Sequence, residues 1–324
     1  MKLFLTDKIK RKFNLLTWVV FVQAVSLSCH RHVECDFLVA SDLHYNGSEQ
    51  RTMILDSAIC LMNRASFLPF PRPAGRNPDP FGVFITGDIT ESGTEGQWTQ
   101  FVHAFGLTGE KNLNIPVYET FGNHDGNVGG IVREGIRARN KKRAGGCRLS
   151  DNGLHYSLNR GGVHFVVLGI YPGNEWDPDC EWCHYFHESF REAQMSLEFL
   201  RHDLNHHLRK PDQPVILLFH YGWDDFSRLW WSEKERDSFF EAVKDKNIIG
   251  IFHGHDHIVD HYLWRGMNVW SAGSLQNEKG SGSFLGVKVR NDSIFVSVFR
   301  EGLWELLSAV PARRDIQISN TSNT

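Results

Sequence analysis

The stretch Ile248-Ile249-Gly250-Ile251-Phe252-His253-Gly254-His255-Asp256-His257 decides how the rest of the chain is read. Five residues, four of them apolar, are too few for a globular helix and have the length of a buried strand. Three histidines and an aspartate follow at once. Four more segments repeat that grammar. Phe37–Ser41 runs into Asp42-Leu43-His44, and Phe81–Thr86 into Gly87-Asp88. Pro116–Phe121 runs into Gly122-Asn123-His124-Asp125, and Val215–Phe219 into His220-Tyr221-Gly222. Each run is rich in β-branched or aromatic residues. Helical stretches are expected between them at 52–65, 94–106, 188–208 and 232–246. Alternating strands and helices argue a layered α/β fold, whose sites form outside the carboxyl ends of the strands. The polar groups after all five runs are therefore expected to converge at one sheet edge.

Further on, 261–263, 268–271, 284–289 and 293–299 read as strands without intervening helices, as expected of a second sheet packed on the first. A Pro-rich loop spans 70–80, a basic insertion 133–148 and an irregular loop 171–187; the tail from Ser319 is polar.

The residue types select the ligand. Imidazoles, carboxylates and one amide oxygen suit first-row divalent ions, not a Cys-rich structural zinc or an all-oxygen calcium site. Asp42, His44, Asp88, Asn123, His220, His255 and His257 are too many for one ion. Two ions with Asp88 bridging use them all: Asp42, His44, Asp88 and His257 on one, Asp88, Asn123, His220 and His255 on the other. A pair of ions ~3.5–4 Å apart is the arrangement for in-line displacement at phosphorus. Gly87, Gly122 and Gly254 are expected where a side chain would crowd the ions. His124, beside Asn123, is assigned as the general acid that protonates the leaving oxygen, with Asp125 orienting its ring.

Taken in order, Asp-x-His, Gly-Asp, Gly-Asn-His-Asp, a lone His and Gly-His-x-His resemble the calcineurin-like metallophosphoesterase superfamily over residues 36–257. The resemblance implies two mixed β-sheets packed as a sandwich between helices, a four-layer α/β fold, and a dinuclear Mn, Fe or Zn centre. It also implies that a hydroxide bridging the ions attacks phosphorus. Glu91 stands where purple acid phosphatases carry a Tyr, and Gly87-Asp-Ile-Thr-Glu-Ser-Gly93 departs from the Ser/Thr phosphatase pattern. This run is more similar to members resembling cyclic-nucleotide phosphodiesterases. The expected substrate is a phosphorylated small molecule, a nucleotide or a lipid head group, as a mono- or diester.

The rival readings are a non-catalytic scaffold on the same fold and a metal-dependent nuclease. With 35 basic against 38 acidic residues and a net charge of −3, the chain has no field for bulk nucleic-acid binding. A hydrophobic content of 41% and a charged content of 23% exclude wholesale disorder and a multi-span membrane protein.

Lys2, Lys8, Lys10, Arg11 and Lys12 precede an apolar run, 15–28, that is short for a bilayer span. Residues 1–28 are expected to be a cleaved secretory signal, with membrane contact only if 15–28 is retained as an anchor. The phosphoesterase domain is then expected to cover 29–318, with residues 319–324 as the tail, and the expected location is secreted, in the secretory pathway or periplasmic. An even set of cysteines (Cys29, Cys35, Cys60, Cys147, Cys180, Cys183) suits disulfides in an exported chain. Cys180-x-x-Cys183 is read as disulfide-forming rather than zinc-binding. The arginines and lysines of 133–148 are read as a solvated helix, with an anionic head group as the alternative. Trp230-Trp231 and Trp176 or Trp182 are read either as core or loop packing or as side chains that line a substrate cleft or touch a membrane surface.

Overall fold

The computed structural model describes residues 33–143, 146–175, 192–223, 227–277 and 280–313. In chain order the strands are β1 (Glu34–Ala40), β2 (Val83–Ile85), β3 (Val117–Glu119), β4 (Cys147–Leu149), β5 (Tyr156–Arg160), β6 (Val163–Val167), β7 (Val215–Leu218), β8 (Ile248–His253), β9 (Val259–Trp264) and β10 (Met267–Ala272). They continue with β11 (Gln276–Asn277), β12 (Gly280–Ser281), β13 (Phe284–Arg290), β14 (Ser293–Arg300) and β15 (Leu303–Pro311). The helices are α1 (Glu49–Asn63), α2 (Glu95–Ala104), α3 (Ile131–Arg143), α4 (Ser196–His206) and α5 (Glu233–Val243).

Two mixed sheets carry the fold. One has the order β15-β14-β13-β1-β2-β3, the other β4-β5-β6-β7-β8-β10-β9. β1, β2 and β3 run parallel, as do β6, β7, β8 and β10. The five site-bearing strands are thus split between the two sheets, three in one and two in the other. They do not form a single sheet with a separate carboxyl-terminal one, as the sequence order suggested. The carboxyl-terminal strands β13–β15 pair onto β1 and complete the first sheet, while β9 and β10 complete the second.

β1 shows why the sheets must be covered on both faces. Phe37 and Val39 belong to an inter-sheet core with Phe84, Phe165, Phe252 and Trp270, whereas Leu38 and Ala40 face the helix-covered core. A strand apolar on both faces has no side to give to water. Within the inter-sheet core, Phe165 stacks on Phe84 at 5.1 Å and meets Phe37 edge-on at 5.2 Å.

Helix boundaries follow local chemistry. Ser48 accepts from the Arg51 amide at the start of α1, and Ser232 and Glu235 form a reciprocal capping box at α5. The expected solvated basic helix is only partly so. Arg133 and Arg139 of α3 are buried, and Arg139 and Arg143 both reach the buried Glu119 carboxylate, at 2.7 and 2.6 Å. These guanidiniums are spent on the fold, because a buried carboxylate needs fixed partners. Trp230 and Trp231 are core residues, 4% and 0% exposed, and Trp230 packs edge-on against the His255 ring at 6.2 Å. Trp176 and Trp182 lie outside the described residues.

Disulfide pairing is not found among the described cysteines. Cys35 on β1, Cys60 on the outer face of α1 and Cys147 on β4 are free thiols. They sit on three separate elements. Cys29, Cys180, Cys183 and the signal segment lie outside the described residues. Among the described residues no helix is long and apolar enough to cross a membrane.

Candidate metal centre

Beyond its last paired residues, each sheet continues as hydrogen-bonded loops. The Asp42 and His44 amides donate to the Gly87 and Asp88 carbonyls, and the Gly254 amide to the His220 carbonyl. The link between the sheets is direct: the Leu275 amide donates to Ser41 O, and both Asp42 carboxylate oxygens accept from the His255 amide, at 3.2 and 3.0 Å.

Five of the seven candidate ligands have left-handed backbones: Asp42 (φ 54°), His44 (47°), Asp88 (48°), His255 (78°) and His257 (59°). For residues with a Cβ this conformation costs of order 1–3 kcal/mol each. At these turns the ligand atoms of Asp42 and His44 gather with His257, and that of His255 gathers with Asp88 and His220.

The glycines permit that crowding. Gly87 takes a φ of 110° that suits only glycine. Gly122 and Gly254 have ordinary φ, and their reason is space. A Cβ on Gly122 would strike Asp88 Oδ1 and His220 Nε2, and one on Gly254 would strike Ser41 Oγ and Asp42 Oδ2.

Two groups of ligand atoms result, each gathered within 4.8 Å: Asp42 with His44 and His257, and Asp88 with His220 and His255. In the first, the Nε2 atoms of His44 and His257 face each other at 3.1 Å, and His257 Nε2 lies 3.3 Å from Asp42 Oδ1. In the second, His220 Nε2 lies 3.2 Å from Asp88 Oδ2 and 3.0 Å from Asn123 Oδ1. His220 Nδ1 donates to the Thr86 carbonyl at 2.9 Å, which aims Nε2 at the centre. Asp88 joins the groups, since its Oδ2 is also 3.6 Å from His44 Nε2, while its Oδ1 accepts from the His124 amide at 2.9 Å.

Burial opposes ionisation of both carboxylates, yet His257 and His220 hold Asp42 below the usual carboxylate range, and His220 and His44 hold Asp88 far below it. Burial likewise depresses His220, but Asp88 and Asp42 raise it to about 9. Asp42 and Asp88 are fully buried, with imidazoles as their leading counter-charges. Two facing Nε2 atoms and two buried anions form a donor set that fits divalent cations. All seven sequence-derived ligands stand at this one place.

One sequence expectation is corrected. Asp125 does not orient the His124 ring. Its carboxylate is taken up by the amides of Ile89 (3.1 Å), Thr90 (2.8 Å) and Gly122 (2.9 Å) and by the Thr90 hydroxyl (2.8 Å). It braces the Gly122–Asp125 turn against the loop after β2. Burial beside Asp88 raises its pKa, against those four donors. The His124 ring is held instead by the Glu91 carbonyl, 2.8 Å from Nδ1. Sequence reasoning noted Glu91 only as a departure from other subfamilies. Its place three residues after Asp88, inside the tight Gly87–Gly93 turn, was the available signal.

A family model described as calcineurin-like phosphoesterase matches residues 36–259. No curated protein matches the chain in sequence. Among solved structures, GAP50, the anchor in the inner membrane complex of Plasmodium, is similar with 11% identity, 87% of this chain and 89% of that one covered, and a TM-score of 0.52. The phosphopantetheinyl hydrolase PptH from Mycobacterium tuberculosis has 13% identity, 75% and 90% coverage, and a TM-score of 0.43. Vacuolar protein sorting 29 from Cryptosporidium parvum has 11% identity, 87% and 100% coverage, and a TM-score of 0.39. At such identities these likenesses concern the fold.

Proposed function

Since the chain belongs to the calcineurin-like phosphoesterase family, we propose that it is a metal-dependent phosphoester hydrolase acting on a phosphorylated small molecule, nucleotide or lipid head group. The observation that carries the reading is the convergence of two carboxylates, an imidazole and an amide oxygen from one sheet's loops (Asp42, Asp88, His44 and Asn123) with three imidazoles from the other's (His220, His255 and His257), five of the seven on backbone conformations that cost energy to hold. Strain of this kind persists where a site demands it. A scaffold with no use for ions has no reason to keep five left-handed ligand positions.

Asp42, His44, Asp88 and His257 would hold one ion, and Asp88, Asn123, His220 and His255 the other. When bound, the ions supply Lewis acidity and a nucleophilic oxygen at phosphorus. The chain's own residues do the rest. Asp88 spans both positions and fixes the His124 amide, so the general acid is set at a constant distance from the ligands. His124 donates Nδ1–H to the Glu91 carbonyl, which directs Nε2 to the leaving oxygen as its proton source. Asp125 holds the turn that carries both Asn123 and His124. The secretory signal at 1–28, with the secreted, secretory-pathway or periplasmic location it implies, is proposed from the sequence alone.

The test strips the full-length chain with chelator and reconstitutes it with Mn²⁺, Fe²⁺ or Zn²⁺. An aryl phosphomonoester and an aryl phosphodiester are then compared. We expect turnover to vanish on stripping and return with at least one ion, and the ratio of the two rates gives the reaction subtype. Turnover of neither ester with any ion would favour the scaffold, and cleavage of single-stranded DNA in preference to both would favour the nuclease.

A further inference from the structure

The third group of ligand-type atoms gathered within 4.8 Å comprises His44, Glu91 and His124. Glu91 was absent from the ligand set, yet it touches both histidines with different atoms. Its carboxylate Oε2 lies 3.1 Å from His44 Nδ1, and its carbonyl lies 2.8 Å from His124 Nδ1. His44 Nδ1 is buried and makes no in-line hydrogen bond, so the Glu91 oxygen is the acceptor standing at it. The Glu91 side chain is 43% exposed, whereas that of His44 is 4% exposed. The carboxylate therefore has room to swing into line with a ring that does not.

We propose that Glu91 is the positioning residue of the centre, setting the tautomer of His44 through its carboxylate and of His124 through its backbone carbonyl. The inference rests on the two-ion reading above. An imidazole has two nitrogens, and the partner of one decides what the other offers. A carboxylate accepting from Nδ1–H leaves the lone pair of His44 on Nε2, which points at Asp42, Asp88 and His257. A carboxylate behind a ligating histidine also raises its basicity and fixes its ring. The same residue's main chain performs the matching task for His124, whose amide is held by Asp88 and whose ring supplies the proton. Thus the turn 87–93 couples the ligand to the acid: a shift of Glu91 moves both rings. Glu91 is not itself a third-ion ligand here, because His44 would have to offer both nitrogens at once.

The two atoms separate cleanly by substitution, since changing the side chain leaves the carbonyl in place. Full-length wild type, E91A and E91Q are stripped and titrated with Zn²⁺ against a chromophoric chelator, and the His44 ring nitrogens are followed by NMR. We expect E91A to weaken one of two sites by about 10–100-fold, the usual effect of losing such a partner, and to leave the other unchanged. The His44 signal should lose its single Nδ1–H tautomer. E91Q should stay close to wild type, because its amide oxygen accepts the same hydrogen bond. E91A with two wild-type affinities and an unaltered His44 tautomer overturns the proposal. Equal weakening of both sites with a lowered melting temperature also overturns it, as that marks a structural role. A wild-type chain that takes up no Zn²⁺ fails one level lower, at the two-ion reading, and the inference falls with it.

Discussion

Asp88 and Glu119 are buried carboxylates at the carboxyl ends of neighbouring strands, yet they serve opposite ends. Glu119, the last residue of β3, is held by two guanidiniums, Arg139 at 2.7 Å and Arg143 at 2.6 Å. Burial works against its charge, but the two arginines bring its pKa down to about 2. Arginine does not release its proton, so this charge is neutralised permanently. The charged partners of Asp88 are instead imidazoles, His220 at 3.2 Å and His44 at 3.6 Å, beside the His124 amide on its Oδ1. Imidazoles can give up protons and offer lone pairs to a cation. A closed set of partners makes a brace, and an exchangeable set makes a centre.

The comparison breaks most easily at Asp88. The D88A variant should lose occupancy at both ion positions and lose turnover almost completely, read by elemental analysis and aryl phosphate hydrolysis, while its melting temperature stays close to that of the stripped wild type. Two ions retained in D88A would place the bridge elsewhere. A smaller loss is expected for H124A: the rate should fall by about 10²–10⁴-fold with the metal content unchanged, and most for esters with poor leaving groups. Full activity of H124A on an alkyl ester would remove His124 from the acid role.

On the Glu119 side the effect is on stability, not rate per folded molecule. E119A leaves Arg139 and Arg143 buried without their carboxylate and should cost about 3–5 kcal/mol in urea unfolding. An unfolding midpoint like that of wild type would refute the brace. The mildest test sharpens the same contrast with pH. A carboxyl depressed from 4.5 in the unfolded chain to about 2 in the folded one contributes stability that is complete above pH 4.5 and is lost as pH falls towards 2. That contribution is about 3 kcal/mol, so wild type should lose this increment on acidification while E119Q, lacking the group, should not.

Much of the site was legible because ligand chemistry is local: Asp-x-His, Gly-Asp and Gly-His-x-His follow strands whose apolar runs are unmistakable. Glu91 was missed as a positioning residue because its two contacts reach 47 residues back and 33 forward, to rings that no pattern pairs with it. Asp125 was misread for the converse reason. Adjacency in the Asn-His-Asp triplet suggested contact with the His124 ring, but the turn sends its carboxylate to the amides of Ile89, Thr90 and Gly122. The α3 arginines read as solvated because a basic helix normally is, and only the position of Glu119 on β3 turns Arg139 and Arg143 inward. Which sheet each strand joins was equally hidden, since β13 pairs with β1 across most of the chain.

The sequence by itself determined the inventory: which side chains can hold ions, where strands end, and which glycines stand where bulk is intolerable. Those are properties of residue type and short spacing. Only the tertiary structure decided that two sheets share the work, that five ligand positions adopt left-handed backbones, and that Glu91 rather than Asp125 holds the His124 ring. Each of these depends on which distant loops meet, and that is set by the packing of the two sheets.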